Sequence, residues 1–272
     1  EEANAAALLT RPYPFYLASP LDGAPDALGD PGDWLAEWKW DGIRAQLIHR
    51  AGEYMLWTRG DERVSDAFPE LVRAGRSLAD GLVLDGEILC WKEDRPMGFH
   101  VLQTRLNRKE ADAGRQREAP VIFMAYDCLE AGGTDLRGQP LEERLRILDQ
   151  NLPESTDGPL RRSPPVAFSD WADLPPVWKE SRARGVEGLM LKHRASPYRV
   201  GRVRGDWWKW KVDPYTADLV MIYAQAGHGR RATLYTDYTL AARDGEGFVR
   251  VAKAYSGLTD EEIRAVDGWI KA

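Results

Sequence analysis

Cysteine is scarce: Cys90 and Cys128 are the only two in 272 residues. That excludes a disulfide framework, and both read as reduced core residues of a cytoplasmic protein. Histidine is almost as rare. The four copies, His49, His100, His193 and His228, have no metal-ligand spacing, so zinc sites are excluded. No apolar run approaches the roughly 18 residues needed to span a bilayer. The acidic start, Glu1-Glu2, is not that of a signal peptide. Cationic excess is also missing, since 37 Lys+Arg against 43 Asp+Glu give −6. A nucleic-acid partner is disfavoured on that count alone, but a net charge is blind to local patches.

What is present is ample core material, with 43% hydrophobic and 29% charged residues. The length suits one large domain or two ordinary ones. Residues 1–33, punctuated by Pro12, Pro14, Pro20, Pro25 and Pro31, read as an extended arm packing on a core. Strand patterns follow at Trp34–Trp40, Ala45–His49 and Tyr54–Thr58, then at Leu82–Trp91 and Val121–Leu129. Helical spacing marks Ser65–Arg76 and Leu141–Leu148, residues 95–118 read as partly helical, and the polar stretch Asn151–Pro165 reads as a surface loop. Gly188–Lys192 and Trp207–Val212 close this unit. Composition shifts at Asp213-Pro214, after which Leu219–Gln225, Thr233–Ala241 and Phe248–Tyr255 look like strands. Thr259 with Glu262 forms a capping box for a last helix.

Three strand patterns carry charged pairs at i, i+2, which a pleat places on one face: Lys39/Asp41, Asp85/Glu87 and Lys209/Lys211. Each lies among large apolar neighbours, and a buried unpaired charge costs several kcal/mol. The charged faces must meet one another, face solvent, or line a cleft.

Lys39-Trp40-Asp41-Gly42-Ile43-Arg44 resembles the KxDGxR motif of covalent nucleotidyltransferases, the superfamily of DNA ligases, RNA ligases and mRNA capping enzymes. Thr58-Arg59-Gly60 is similar to its second motif, Asp85-Gly86-Glu87 to its third, and Phe123–Asp127 to the aromatic-Asp motif that follows. Glu187-Gly188-Leu189-Met190-Leu191-Lys192 is similar to the fourth motif, and Trp208-Lys209-Trp210-Lys211 to the fifth. The set runs in order, and the phrases Leu102–Leu106 and Gly205–Lys209 look like bacterial ATP-dependent DNA ligases. This resemblance implies an α+β fold. A nucleotidyltransferase (ATP-grasp-like) adenylation domain of antiparallel sheets flanked by helices would occupy 34–214. An incomplete OB-fold β-barrel would follow over 215–272. The family's last motif, a basic segment that orients the pyrophosphate of ATP, has no match, so the chain reads as a piece of a larger enzyme.

The resemblance also implies a reaction through a lysyl-AMP, with ATP and Mg²⁺ (or Mn²⁺) as cofactors and Lys39 as nucleophile. A lysine at its ordinary pKa must give up about 4.6 kcal/mol to be neutral at pH 7, so nearby cations such as Lys209 and Lys211 help while also neutralising the α-phosphate. Glu37, with the backbone near Trp38, would contact the adenine amino group, and Tyr126 would stack on the ring. Glu87 would hold the ribose hydroxyls. Arg44 and Arg59 would pair with phosphate or ribose oxygens, and Glu187 would be the metal contact. Asp85 is either support for its strand or a ligand contact, and the role of Asp41 is open.

Two stretches override the net charge. Residues 199–211 hold Arg199, Arg202, Arg204, Lys209 and Lys211 against Asp206, and residues 103–117 hold Arg105, Arg108, Lys109, Arg115 and Arg117 against Glu110 and Asp112. Arg105, Arg108, Arg202 and Arg204 are thus the candidates for DNA phosphate, contacts that position without reading sequence. The expectation is a monomeric DNA ligase core that seals nicked duplex DNA in the cytoplasm, associated with the nucleoid. An RNA ligase, a GTP-dependent capping enzyme, or a truncated non-catalytic nucleotide- or DNA-binding module are the alternatives.

Overall fold

In the computed structural model, which describes residues 11–106, 113–152, 158–214 and 216–272, the first long strand, β1 (Trp34–Trp38), stops just before Lys39. The chain then crosses into a second sheet through Lys39–Gly42 and begins β2 (Ile43–Arg50). Lys39 and Asp41 are therefore not a pair on one pleat. They sit in the crossover, because the strand's ladder ends there. The crossing is tight: a Cβ on Gly42 would lie 2.3 Å from the carbonyl oxygen of Ile88, so only glycine fits.

A two-residue turn joins β2 to β3 (Glu53–Thr58), with Ala51 and Gly52 both at positive φ, as a type I′ hairpin requires. The long apolar runs give β4 (Leu82–Lys92) and β5 (Val121–Ala131), buried on both faces as central strands. The order is β6-β5-β4-β2-β3, where β6 (Leu160–Arg162) pairs parallel to β5 and the other pairs are antiparallel. The stretch expected to be loop thus contains a strand; Leu160, only 2% exposed, anchors it in the core. The expected Ser65–Arg76 helix is shorter. A 3₁₀ turn, Ser65–Ala67, precedes α1 (Pro69–Gly75), since Pro69 lacks an N–H and sits best at a helix start. α2 (Phe99–Leu106) and α3 (Leu141–Asn151) cover the large sheet.

β7 (Gly188–His193) and β8 (Trp207–Lys211) complete the sheet of β1. Alternation sorts its faces. Trp34, Ala36, Leu189, Leu191 and Trp208 bury one face beneath Trp171 and Leu174, while Glu37, Met190, Lys192, Lys209 and Lys211 line the other. The arm adds two short strands, Tyr16–Leu17 beside Gly201–Arg202 and Ser19–Pro20 beside β8, and buries Tyr16 completely.

The chain separates into two compact units, Glu1–Val212 and Asp213–Ala272. The second is an antiparallel sheet of β9 (Val220–Ala226), β10 (Tyr235–Asp244) and β11 (Gly247–Ala254) with helix α4 (Asp260–Lys271). The capping box is formed: Thr259 N donates to Glu262 Oε2 at 2.7 Å and Glu262 N donates to Thr259 Oγ1 at 3.3 Å. No barrel closes among the described residues, in keeping with the incomplete OB-fold expected over 215–272.

Candidate active site

Lys39 is fixed by its backbone to β7: its N–H donates to Gly188 O and its carbonyl accepts from Glu187 N, both at 2.8 Å. Gly188 is obligatory here, with φ of +136° and no room for a Cβ against the Trp210 carbonyl. These bonds carry the Lys39 side chain to the mouth of a pocket. Its Nζ donates to Glu187 Oε2, and Lys211 Nζ lies 3.0 Å from Glu187 Oε1, so one carboxylate bridges two ammonium groups. Burial alone would raise the Glu187 carboxyl, but Lys39 and Lys211 outweigh it and hold it below the usual range. Burial, with Glu187 close by, pushes Asp41 up. Burial, then the charges of Arg202, Lys39 and Lys211, push Lys209 down. The cations therefore crowd one another beside Lys39.

The pocket behind Lys39 is lined by Leu17 and Ala18 of the arm, Glu37, Glu87, Tyr126, Met190, Lys192, Trp207 and Lys209, with Arg59 and Arg202 at its edge. Tyr126 donates to Glu87 Oε2 at 3.4 Å. Burial pushes the Glu87 carboxyl up to about 7, against the opposing pull of Lys39 and Arg44. Trp38 lines the pocket, but its ring packs on the opposite face of the sheet under Arg184, so what it offers inward is backbone.

Arg44 differs from expectation. Its Nε and Nη2 bind the Asp85 carboxylate at 3.2 and 2.7 Å, and Nη1 donates to Tyr16 O at 2.5 Å. The planar fork is thus taken by the protein itself, and Asp85, fully buried and also accepting from Tyr198 at 2.6 Å, is the support for Arg44. Arg59 is exposed and reaches the adjoining groove that Asp41, Thr58, Gly60, Glu187 and Lys211 line.

Arg105 is a correction. It lies on the inner side of α2, one turn from buried Leu102, and is itself 2% exposed. Its guanidinium donates to Ala119 O at 2.7 Å and Ala67 O at 2.8 Å and pairs with Glu70 at 2.8 Å. An arginine so enclosed cannot reach a DNA phosphate; it holds α2 to the core. Arg108 lies outside the described residues. Arg202 and Arg204 are exposed, with Arg204 stacked over the Trp208 ring at 5.2 Å.

Residue-by-residue reading missed Met190 and Lys192. The signal was there in Lys192, a charge closing the apolar run Leu189–Leu191, and strand alternation puts Met190 on the same face. Lys192 is 2% exposed, 2.6 Å from Glu37 Oε2, and 4.5 Å from the centres of both the Tyr126 and Trp207 rings. Among the described residues no group of three or more His, Cys, Asp or Glu gathers as a metal cage. Mg²⁺ needs only one or two carboxylates beside phosphate oxygens and waters, so Glu187 with neighbouring Asp41 fits it.

The family described as ATP dependent DNA ligase domain matches residues 15–211. A probable DNA ligase of Koribacter versatilis is 35% identical over 291 residues, covering 99% of this chain and 50% of that protein. A probable DNA ligase of Anaeromyxobacter sp. is 37% identical over 256 residues, covering 93% of this chain and 48% of that protein. The chain therefore spans about half the length of these relatives. Among solved structures, a mycobacterial DNA ligase D complexed with ATP and MES aligns with a TM-score of 0.60 at 24% identity, over 95% of this chain and 77% of that one. A structure from a study of Lig E DNA ligases aligns at 0.67 with 20% identity, over 94% of this chain and 88% of that one, and these two likenesses speak to fold alone. With its motifs gathered around one pocket and the family matched from 15 to 211, this chain belongs to the ATP-dependent DNA ligase domain family.

Proposed function

We propose that this chain is the adenylylating core of a ligase that seals nicked duplex DNA. The observation that carries the reading is the position of Lys39, whose amine stands among Glu187, Lys209 and Lys211 at the mouth of a pocket walled by Tyr126. The free Lys39 amine attacks the α-phosphorus of ATP; the N–P bond forms as the P–O bond to pyrophosphate breaks. AMP then passes from lysine to the 5′-phosphate at a nick, and the 3′-hydroxyl displaces it to form the phosphodiester. Tyr126 stacks on adenine opposite Met190, Glu37 accepts from the 6-amino group, and Glu87 accepts from the ribose hydroxyls. Lys209, Lys211 and Arg59 neutralise the phosphates. Glu187 would hold Mg²⁺ or Mn²⁺, which supplies charge neutralisation on the departing pyrophosphate. Arg202 and Arg204 hold the DNA backbone without reading bases. The protein acts as a monomer in the cytoplasm, on the nucleoid.

Incubation with α-labelled ATP and Mg²⁺ is expected to leave a covalent label, acid-labile and alkali-stable as an N–P bond requires, that added pyrophosphate discharges and that unlabelled ATP, not GTP, competes away. Competition by GTP instead would point to a capping enzyme. A chain that binds ATP yet never takes label would be a non-catalytic binding module, and this reading would fall.

The Glu87 carboxyl supplies a pH signature. With a value of about 7 it is protonated below neutrality and ionised above. An ionised acceptor binds ribose hydroxyls more strongly by about 1 kcal/mol. ATP affinity is therefore expected to rise about three- to fourfold between about pH 6 and about pH 8, and Glu87→Gln is expected to flatten the profile. Titration calorimetry across that range decides it, and a flat wild-type profile contradicts it.

A further inference from the structure

Glu37 is 1% exposed, and a carboxylate so buried persists only if its charge is met. Lys192 meets it at Oε2, 2.6 Å away, from a slot between the Tyr126 and Trp207 rings. The other oxygen, Oε1, is met by Arg162, whose Nη1 lies 3.1 Å away. Arg162 lies on β6, paired with Ala125 of β5, one residue before Tyr126. Its orientation is fixed independently: Nη1 also donates to Ser163 O at 2.5 Å, and Nε to Asp149 Oδ1 at 3.0 Å.

We propose that Arg162 is a positioning residue for purine recognition, holding the Glu37 carboxylate as an acceptor aimed at the 6-amino group of adenine. The proposal rests on the reading of Glu37 given above. Each carboxylate oxygen has room for about two hydrogen bonds, so one cation on each leaves acceptor capacity facing the pocket. Two anchors also fix the plane of the group, whose terminal torsion is otherwise soft. A guanine in the same place would turn its 6-oxo group toward that anion. With Arg162 removed, Lys192 alone tethers Glu37 and the plane is free to turn.

The test compares binding of ATP with binding of purine riboside triphosphate, which lacks only the 6-amino group, by calorimetry in the presence of a chelator so that no transfer occurs. Wild-type protein is expected to prefer ATP by about tenfold, the worth of one hydrogen bond to a charged group. In Arg162→Met the preference is expected to fall to about 1 while the analogue binds as before, and Arg162→Lys is expected to restore part of it. The ratio is internal to each sample, so partial unfolding lowers both affinities together and leaves it unchanged. A wild-type ratio retained in Arg162→Met overturns the proposal. A wild-type protein that does not distinguish the two nucleotides overturns the reading of Glu37 beneath it.

Discussion

Replacing Lys39 with alanine is expected to remove covalent AMP from the protein, lowering labelling by at least about four orders of magnitude, to background. The reason is geometric. Backbone bonds to Gly188 and Glu187 set the direction of the Lys39 side chain and do not depend on its amine, so the variant keeps the site and loses only the nucleophile. Lys211 is already committed to Glu187. Lys209, whose pKa burial and the neighbouring cations push down, lies on β8, across β7 from β1. Stability should change by no more than about 1 kcal/mol, since the lost ion pair is partly exposed, at 21% and 29%, and Glu187 keeps Lys211. Lys39→Arg should be equally inactive, because a guanidinium stays protonated. The measurement is label from α-labelled ATP alongside a thermal melt. Label surviving in a folded Lys39→Ala protein would sink the assignment.

Asp127→Ala is expected to cost about 3–5 kcal/mol of folding free energy, which for a domain of this size lowers the melting temperature by about 10 °C. Asp127 and Arg144 are both completely buried and joined in parallel at 2.8 and 2.9 Å. Arg144 is further held by the carbonyls of Gln139 and Ser196, at 2.6 and 2.9 Å, so it ties β5 and α3 to the segment after β7. Without Asp127 the guanidinium is a buried charge left with two carbonyls, the Tyr198 ring and the more distant Asp85 carboxylate as compensation. Because the penalty comes from the orphaned charge, Asp127→Leu combined with Arg144→Met should recover much of the loss. A drop under about 2 °C for the single substitution would show that water or a rearranged partner replaces the carboxylate. Tyr126 is the adjacent residue, so nucleotide affinity should weaken along with stability.

The sequence was most legible where the chemistry demands particular residues in particular places. Lys39, Glu87, Tyr126, Glu187, Lys209 and Lys211 were singled out by motif, and the fold brings them to adjoining faces of one cleft. It was least legible for arginines. Arg105, Arg44 and Arg202 are alike as letters, yet one is sealed against two carbonyls and a glutamate, one is clasped by Asp85, and one is exposed. Charge counting along the chain placed Arg105 on a DNA surface because a run of cations carries no record of which side of a helix each occupies. Arg162 was hidden for a different reason. Its strand is three residues long at the edge of a sheet, too short for any periodic signal, and it pairs with a strand far away in sequence.

The sequence by itself determined the family, the order of the motifs, the long strands and the capped last helix. Each of these depends on local pattern or on residue identity. The tertiary structure alone decided which charges face the pocket and which are spent inside the protein. That outcome depends on how two sheets meet at Lys39–Gly42 and on which side of β1, β7 and β8 the tryptophans are buried. Burial converts identical side chains into different chemistry: an unpaired cation on the surface is available to phosphate, while the same cation inside must have its charge met by the protein to stay there.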